Sequence, residues 1–195
     1  MEAWTEVNLV STPPLDEALL VELIDPIVHE DFANEITTWF FFWEPQLRLR
    51  IRWRDPEHAA VHRRRLGTLL DSWKENGRLD DWYEAAHGEK GEQYVGEADN
   101  YGEEIWPSLQ ADWMSGSELT LAIIKNDRAG RLTKPREYHW QRRVHLLTNQ
   151  LLQTWEAEIE MSLRQALAYT KARGAAPTPD AKRLIDELNG YAKSS

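Results

Sequence analysis

The chain has 195 residues and a formal charge of −10, which suits one domain of ordinary size and disfavours nucleic-acid binding by global electrostatics. It holds no apolar run of about eighteen residues that could span a bilayer. Met1 to Glu6 lack the basic and apolar regions of a secretory signal, so a soluble, cytoplasmic protein is expected. With zero cysteines, disulfides, thiolate metal sites and cysteine nucleophiles are excluded.

Trp4 to Val10 alternate loosely and stop at Pro13-Pro14, which predicts a first strand. From Leu15 to about Glu30 the apolar residues Leu19, Leu20, Leu23, Ile24, Ile27 and Val28 recur at helical spacing, with Pro26 as a kink or break. Thr37 to Trp43 are aromatic and β-branched and predict a buried central strand, followed after Glu44-Pro45 by a strand from Gln46 to Arg54. The two should form a hairpin. Asp55-Pro56 resembles an N-cap followed by an N1 proline, and the helix it opens should run to about Glu75 before Asn76-Gly77.

Leu79 to His87 reads as a short helix, and Gln93 to Asp99 as a strand returning to the same sheet. A helix is expected from about Glu103 to Lys125, with Gly116 as a bend, and a longer one from Arg136 to about Arg173. Gly174 to Pro179 look like a linker before a terminal helix. The expected class is α+β, a mainly antiparallel sheet packed against several helices in a single domain over residues 1–173, with a linker and helical tail over 174–195.

The strand of arginines is the first chemical feature. At period two, Arg48, Arg50, Arg52 and Arg54 share one face and Leu47, Leu49, Ile51 and Trp53 the other. At a rise of ~3.3 Å per residue the four guanidinium groups line about 20 Å of one wall. Like charges in a row repel, and a guanidinium fork matches carboxylate or phosphate, so the row needs anionic partners. These are either the chain's own Asp and Glu on a solvated sheet face or a bound ligand. His145 lies with Arg142 and Asn149 on nearly one helix face, as a structural histidine or as a general acid or base near neutral pH. His58 and His62 are one turn apart but lack a third ligand and sit beside Arg63-Arg64-Arg65, so they read as a solvated face and no metal is expected. No glycine-rich phosphate loop or nucleophile elbow is present, which leaves no organic cofactor to expect.

Four local patterns then occur in one order: the aromatic strand leading into Gln46-Leu47-Arg48-Leu49-Arg50, Tyr94 to Gly102, Trp113 to Glu118, and His145 to Leu151. From Trp4 to Ala168 the chain resembles the C-terminal elimination domain of class I lanthipeptide dehydratases and its stand-alone relatives, the thiopeptide-type bacteriocin biosynthesis proteins. The resemblance implies a lyase that takes a precursor peptide glutamylated on serine or threonine, removes the α-proton and expels glutamate. It implies that Arg48 and Arg50 bind the leaving carboxylate or stabilise the enolate, that Glu97 belongs to the same polar cluster and that His145 handles the proton. Asn100, Tyr101, Arg52 and Ser117 are expected on the substrate-binding side.

Two alternatives stay open, a pyridine-synthase-like cyclase of dehydrated peptides and a non-catalytic subunit that binds the leader peptide. The expected partners are the modified precursor peptide and a separate glutamylation protein, with a homodimer as a further arrangement. Two positions depart from the family pattern. Asn100 stands where the family usually has an arginine, and Met114-Ser115-Gly116-Ser117-Glu118 stands where it often has His-Ala-Asp-Ser-Glu.

Overall fold

A computed structural model describes residues 3–12, 17–43, 46–87 and 92–150, with the backbone alone at 86–87, 92–93 and 144–150. Its contacts divide the chain into two compact units, Met1–Arg131 and Leu132–Ser195. The expected α+β class is what the structure shows.

In the first unit, strands β1 (Trp4–Val10), β2 (Ile36–Trp43), β3 (Leu47–Trp53) and β4 (Asp81–Glu84) form an antiparallel sheet in the order β2-β3-β1-β4. The expected hairpin forms, with Trp43 opposite Leu47 and Phe40 opposite Arg50. Alternation along β3 then decides what each face buries. Leu47, Leu49, Ile51 and Trp53 are at most 2% exposed and join a core with Leu19, Leu20, Leu23, Ile24 and Ile27. Burying side chains of this size contributes about 1.5–3 kcal/mol each, which fixes the register, because a slip of one residue would turn the arginines into that core.

The first helical stretch starts as α1 (Glu17–Leu19) and continues as two π-helical segments, Leu20–Ile24 and Ile27–Asp31. Pro26, which has no N–H to donate, stands between them. Wide turns closed by Asp25 N–H to the Leu20 carbonyl and Phe32 N–H to the Ile27 carbonyl flank Pro26, and the helical stretch runs through it without the expected break. Helix α2 (Ala59–Glu75) ends as expected at Asn76-Gly77, where Gly77 has φ +67°. It begins later than the cap pattern implied, because the Asp55 carboxylate accepts from Glu57 N–H (2.9 Å) and the His58 ring (2.7 Å) and so closes a turn ahead of the helix.

Two expectations fail between α2 and the next long helix. Residues 79–87 are not helical: Asp81–Glu84 is β4, paired with β1, and Ala86–His87 is β5. Leu79, Trp82 and Tyr83 imitate helical spacing, but the open edge of β1 and a site for Trp82 against α2 prevail. The Trp82 indole donates to Asp71 (2.8 Å), and its ring lies 3.2 Å from where a Cβ on Gly67 would stand. Glu92–Gln93 (β6) pairs only with β5 in a separate two-stranded sheet, and Ala98–Tyr101 is a short helix, α3, rather than a strand of the main sheet.

Helix α4 (Trp106–Arg128) packs along the edge strand β2. Buried Ser117 accepts from Phe41 N–H (3.1 Å) and donates to the Trp113 carbonyl (3.0 Å), which covers part of an edge that would otherwise offer unpaired backbone. In the second unit, α5 (Arg136–Gln150) starts where expected, while the continuation to Arg173, the linker and the tail lie outside the described residues.

His29 links the second π-helical segment to α4. Its Nδ1 meets Asp25 at 2.8 Å and its Nε2 meets Glu118 at 3.1 Å, and only an imidazolium donates to both carboxylates at once. Burial opposes the charge, but the hydrogen bonds to Glu118 and Asp25 outweigh it, and the His29 pKa is raised above 6.5. The stabilisation is therefore complete below the unfolded value and is lost as pH rises through the folded one. His29→Gln should lower stability in urea at about pH 5.5 and change it much less at about pH 8; an equal loss at both would contradict the linkage.

Candidate functional site

The face of the sheet opposite the main core carries Trp4, Glu6 and Asn8 of β1, Phe40 and Phe42 of β2, and Arg48, Arg50 and Arg52 of β3. Cross-strand pairing sets Glu6 and Phe40 on either side of Arg50, and Asn8 and Phe42 on either side of Arg48. A second, smaller apolar cluster of Trp4, Phe40, Tyr94 and Trp106 covers this face. One reading of the arginine row is a solvated face paired with the chain's own carboxylates; at Arg50 the face is not solvated, since that residue is only 6% exposed, but the pairing with the chain's own carboxylates is found there.

Arg50 is held by two carboxylates. Its Nε donates to Glu6 and its Nη1 to Glu97, with side-chain exposures of 8% for the arginine, 1% for Glu6 and 19% for Glu97. Aromatic rings surround the guanidinium, whose carbon lies 4.3 Å from the Tyr94 ring centre and 5.2 Å from that of Phe42. Burial works against its charge, yet Tyr94, Glu6 and Glu97 raise its pKa above the ordinary arginine value. Burial pushes the Tyr94 phenol well above its usual pKa, so it stays protonated and donates towards Glu97 Oε1 at 3.5 Å.

Glu97 reaches Arg50 because of local backbone chemistry. Gly96 has φ +94°, and a Cβ there would stand 3.1 Å from the Trp4 indole nitrogen and 3.4 Å from Trp106. Only glycine lets the segment pass this close in that conformation. Asn100 and Tyr101 N–H both return to the Glu97 carbonyl, at 3.0 and 3.1 Å, so α3 follows directly from the residue that clamps Arg50.

The other arginines have different surroundings. Arg48 is half-buried, and its Nε is buried with no hydrogen-bond partner; no carboxylate pairs with it among the described residues. Arg52 Nη1 contacts Gln110 Oε1 at 3.4 Å. Arg54 lies past the end of β3 and donates to the carbonyls of Asn34 (2.8 Å) and Ile36 (3.3 Å), so it does not extend the wall as the strand pattern implied.

Of the residues expected at a site, Arg50 and Glu97 meet directly, with Arg48 and Arg52 beside them on β3. Asn100 and Tyr101 are exposed on α3, and Tyr101 stacks on Trp106 with a ring separation of 6.3 Å and an interplanar angle of 4°. Ser117 lies at the edge of β2, where its hydroxyl accepts from Phe41 N–H. His145 lies in α5 and its side chain is outside the described residues. Sequence reasoning missed Glu6 and Tyr94. Glu6 was visible in principle, since Trp4, Glu6 and Asn8 alternate with apolar residues just as the arginines do.

His58 pairs with Asp55, whereas His62 stacks on Trp53 at 5.2 Å, so the pair divides between surface and core edge. Among the described residues no group of three or more His, Asp or Glu could hold a metal ion, and no helix is long and apolar enough to cross a membrane.

The antiparallel sheet thus buries one face in the main core, and on its other face one guanidinium is clamped by two carboxylates while its neighbour Arg48 pairs with no carboxylate among the described residues. The lantibiotic biosynthesis dehydratase C-terminal family matches residues 4–193, and the chain belongs to that family. No curated protein and no solved structure matches it. Membership connects the chain with lanthipeptide dehydration and with a precursor peptide as partner.

The two neighbouring arginines should separate cleanly by stability. Arg50→Ala leaves Glu6 and Glu97 buried without their counterion and should cost about 3–5 kcal/mol. Arg48→Ala breaks no ion pair and should cost less than about 1 kcal/mol. Urea denaturation of both variants measures the difference, and similar losses would contradict the assignment.

Proposed function

We propose that the chain eliminates glutamate from glutamylated serine or threonine in a precursor peptide. In this reaction the α-proton is taken by a base, its electron pair becomes the new Cα=Cβ bond, the Cβ–O bond breaks, and the oxygen departs with glutamate as a carboxylate. The observation that carries the reading is Arg48, a half-buried guanidinium with no carboxylate among the described residues, one alternate position along β3 from a guanidinium that has two. Removing an arginine from a carboxylate leaves the preorganised fork that a departing carboxylate matches, and in partly desolvated surroundings such a donor acts more strongly than in water.

Arg50 then serves as a positioning residue. Its ion pairs hold Glu97, Tyr94 and α3 against the sheet. His145 is the proposed proton-handling group, on the strength of the family resemblance, and a separate protein would install the glutamyl group. The occupancy of Arg50 by Glu6 and Glu97 also favours a second reading, a subunit that binds the peptide through Arg48 without turning it over.

Purified protein incubated with a glutamylated precursor peptide should release glutamate, read by mass spectrometry as conversion to the dehydrated peptide. Arg48→Ala should slow the reaction by about 100-fold or more, and His145→Ala should abolish it while leaving peptide binding in place. Binding without any turnover by the wild-type protein, with a glutamylation protein present, would favour the second reading.

A further inference from the structure

Beside Arg48, the aromatic rings of the site continue outward. Phe42 is the cross-strand neighbour of Arg48, and its ring lies 5.3 Å from that of Trp113, edge to face. Trp113 in turn lies 5.9 Å from Tyr101, which is 44% exposed. Phe42 and Trp113 are half-buried, so three rings form a partly open ledge that starts across the strand from Arg48, whose Nε has no partner, and ends at exposed Tyr101. The two ring-to-ring steps span the length of about three residues of extended peptide.

We infer that this ledge is a subsite for an apolar side chain of the substrate peptide, close in sequence to the glutamylated residue whose carboxylate Arg48 receives; the inference rests on the reading of Arg48 given above. The occupant follows from continuity and charge. A glutamyl group joined through one carboxyl keeps one carboxylate and one ammonium, so it has no net charge for the −10 chain to attract over long range, and a single guanidinium must be supplemented by local contacts. Large, stiff rings supply area for such contacts at small entropic cost, and their faces and edges accept an aliphatic or aromatic side chain equally well. The ledge would thereby favour peptides with a large apolar residue beside the modified one over peptides with glycine there.

The test uses two synthetic peptides in which diaminopropionic acid carries the glutamyl group through a stable amide, flanked by phenylalanine in one and glycine in the other. Isothermal titration calorimetry with the wild-type protein should give about tenfold tighter binding of the phenylalanine peptide. Tyr101→Ala, at an exposed position, and Trp113→Leu, with folding checked by circular dichroism, should each bring the two peptides to within about twofold of one another. Arg48→Ala should weaken both. Equal binding of the two peptides by the wild-type protein, or a preference that survives both ledge variants, would overturn the subsite while leaving Arg48 standing if its variant still weakens both. Failure of both peptides to bind wild-type protein would overturn the subsite and the reading of Arg48 together.

Discussion

Arg50 and its two carboxylates hold the second face of the sheet together. Three charged groups, one from each of β3, β1 and the segment before α3, are removed from water at a single point. Taking an ion out of water costs several kcal/mol, and that cost is offset only when the geometry is good and the remaining donors are satisfied. Here Nε and Nη1 each meet an oxygen, and rings on β2 and at Tyr94 exclude solvent around them. Such a cluster adds little net stability compared with an apolar core, but it penalises every arrangement in which one partner is missing. Its effect is to specify where the chain from Tyr94 to Tyr101 sits. Trp106 follows from that placement, since it packs with Trp4 and Tyr94 over the same face.

The clamp also explains how a row of like charges is tolerated. Alternate positions on a strand are about 7 Å apart, close enough for guanidinium groups in a partly desolvated face to repel appreciably. Arg50 is met by two carboxylates for its one guanidinium, and an excess of carboxylate over guanidinium favours cations on either side. Arg48 and Arg52 are the residues on either side. Arg52 finds Gln110 as one partner, and Arg48 is left with an Nε that has none, so the sheet stabilises a guanidinium without neutralising it locally.

What the sequence revealed depended on whether the determining contacts were periodic. β1, β2, β3, α2 and α4 were legible because their burial follows a period of two or of 3.6 along the chain. Leu79 to His87 was misread because Leu79, Trp82 and Tyr83 satisfy helical spacing, while what placed them was the unpaired edge of β1 and the gap over Gly67, neither of which is encoded locally. Gln93 to Asp99 was misread as a strand for the same reason: Glu97 and Gly96 are positioned by Arg50, Trp4 and Trp106, residues distant in sequence. The face of the arginines was legible, and so was their need for anions. Which arginine keeps its anion at home was not, because that depended on Glu6 lying directly across from Arg50 in the register.

Asn100 gains meaning from the same arrangement. Where the resemblance leads one to expect an arginine, the short helix that follows Glu97 carries an exposed amide. Glu97 takes its counterion from Arg50, so Arg50 is committed to the interior, and under the proposed function the anion-binding role would fall on Arg48. A site reduced to one available guanidinium has less electrostatic hold on a substrate than one with two, and it gains most from apolar contacts that do not depend on charge. The three rings that extend from Phe42 through Trp113 to Tyr101 supply such contacts on the side of the site where Arg48 is open. Under the proposed function, an amide at position 100 and an aromatic surface beside Arg48 would together weight recognition towards shape over charge.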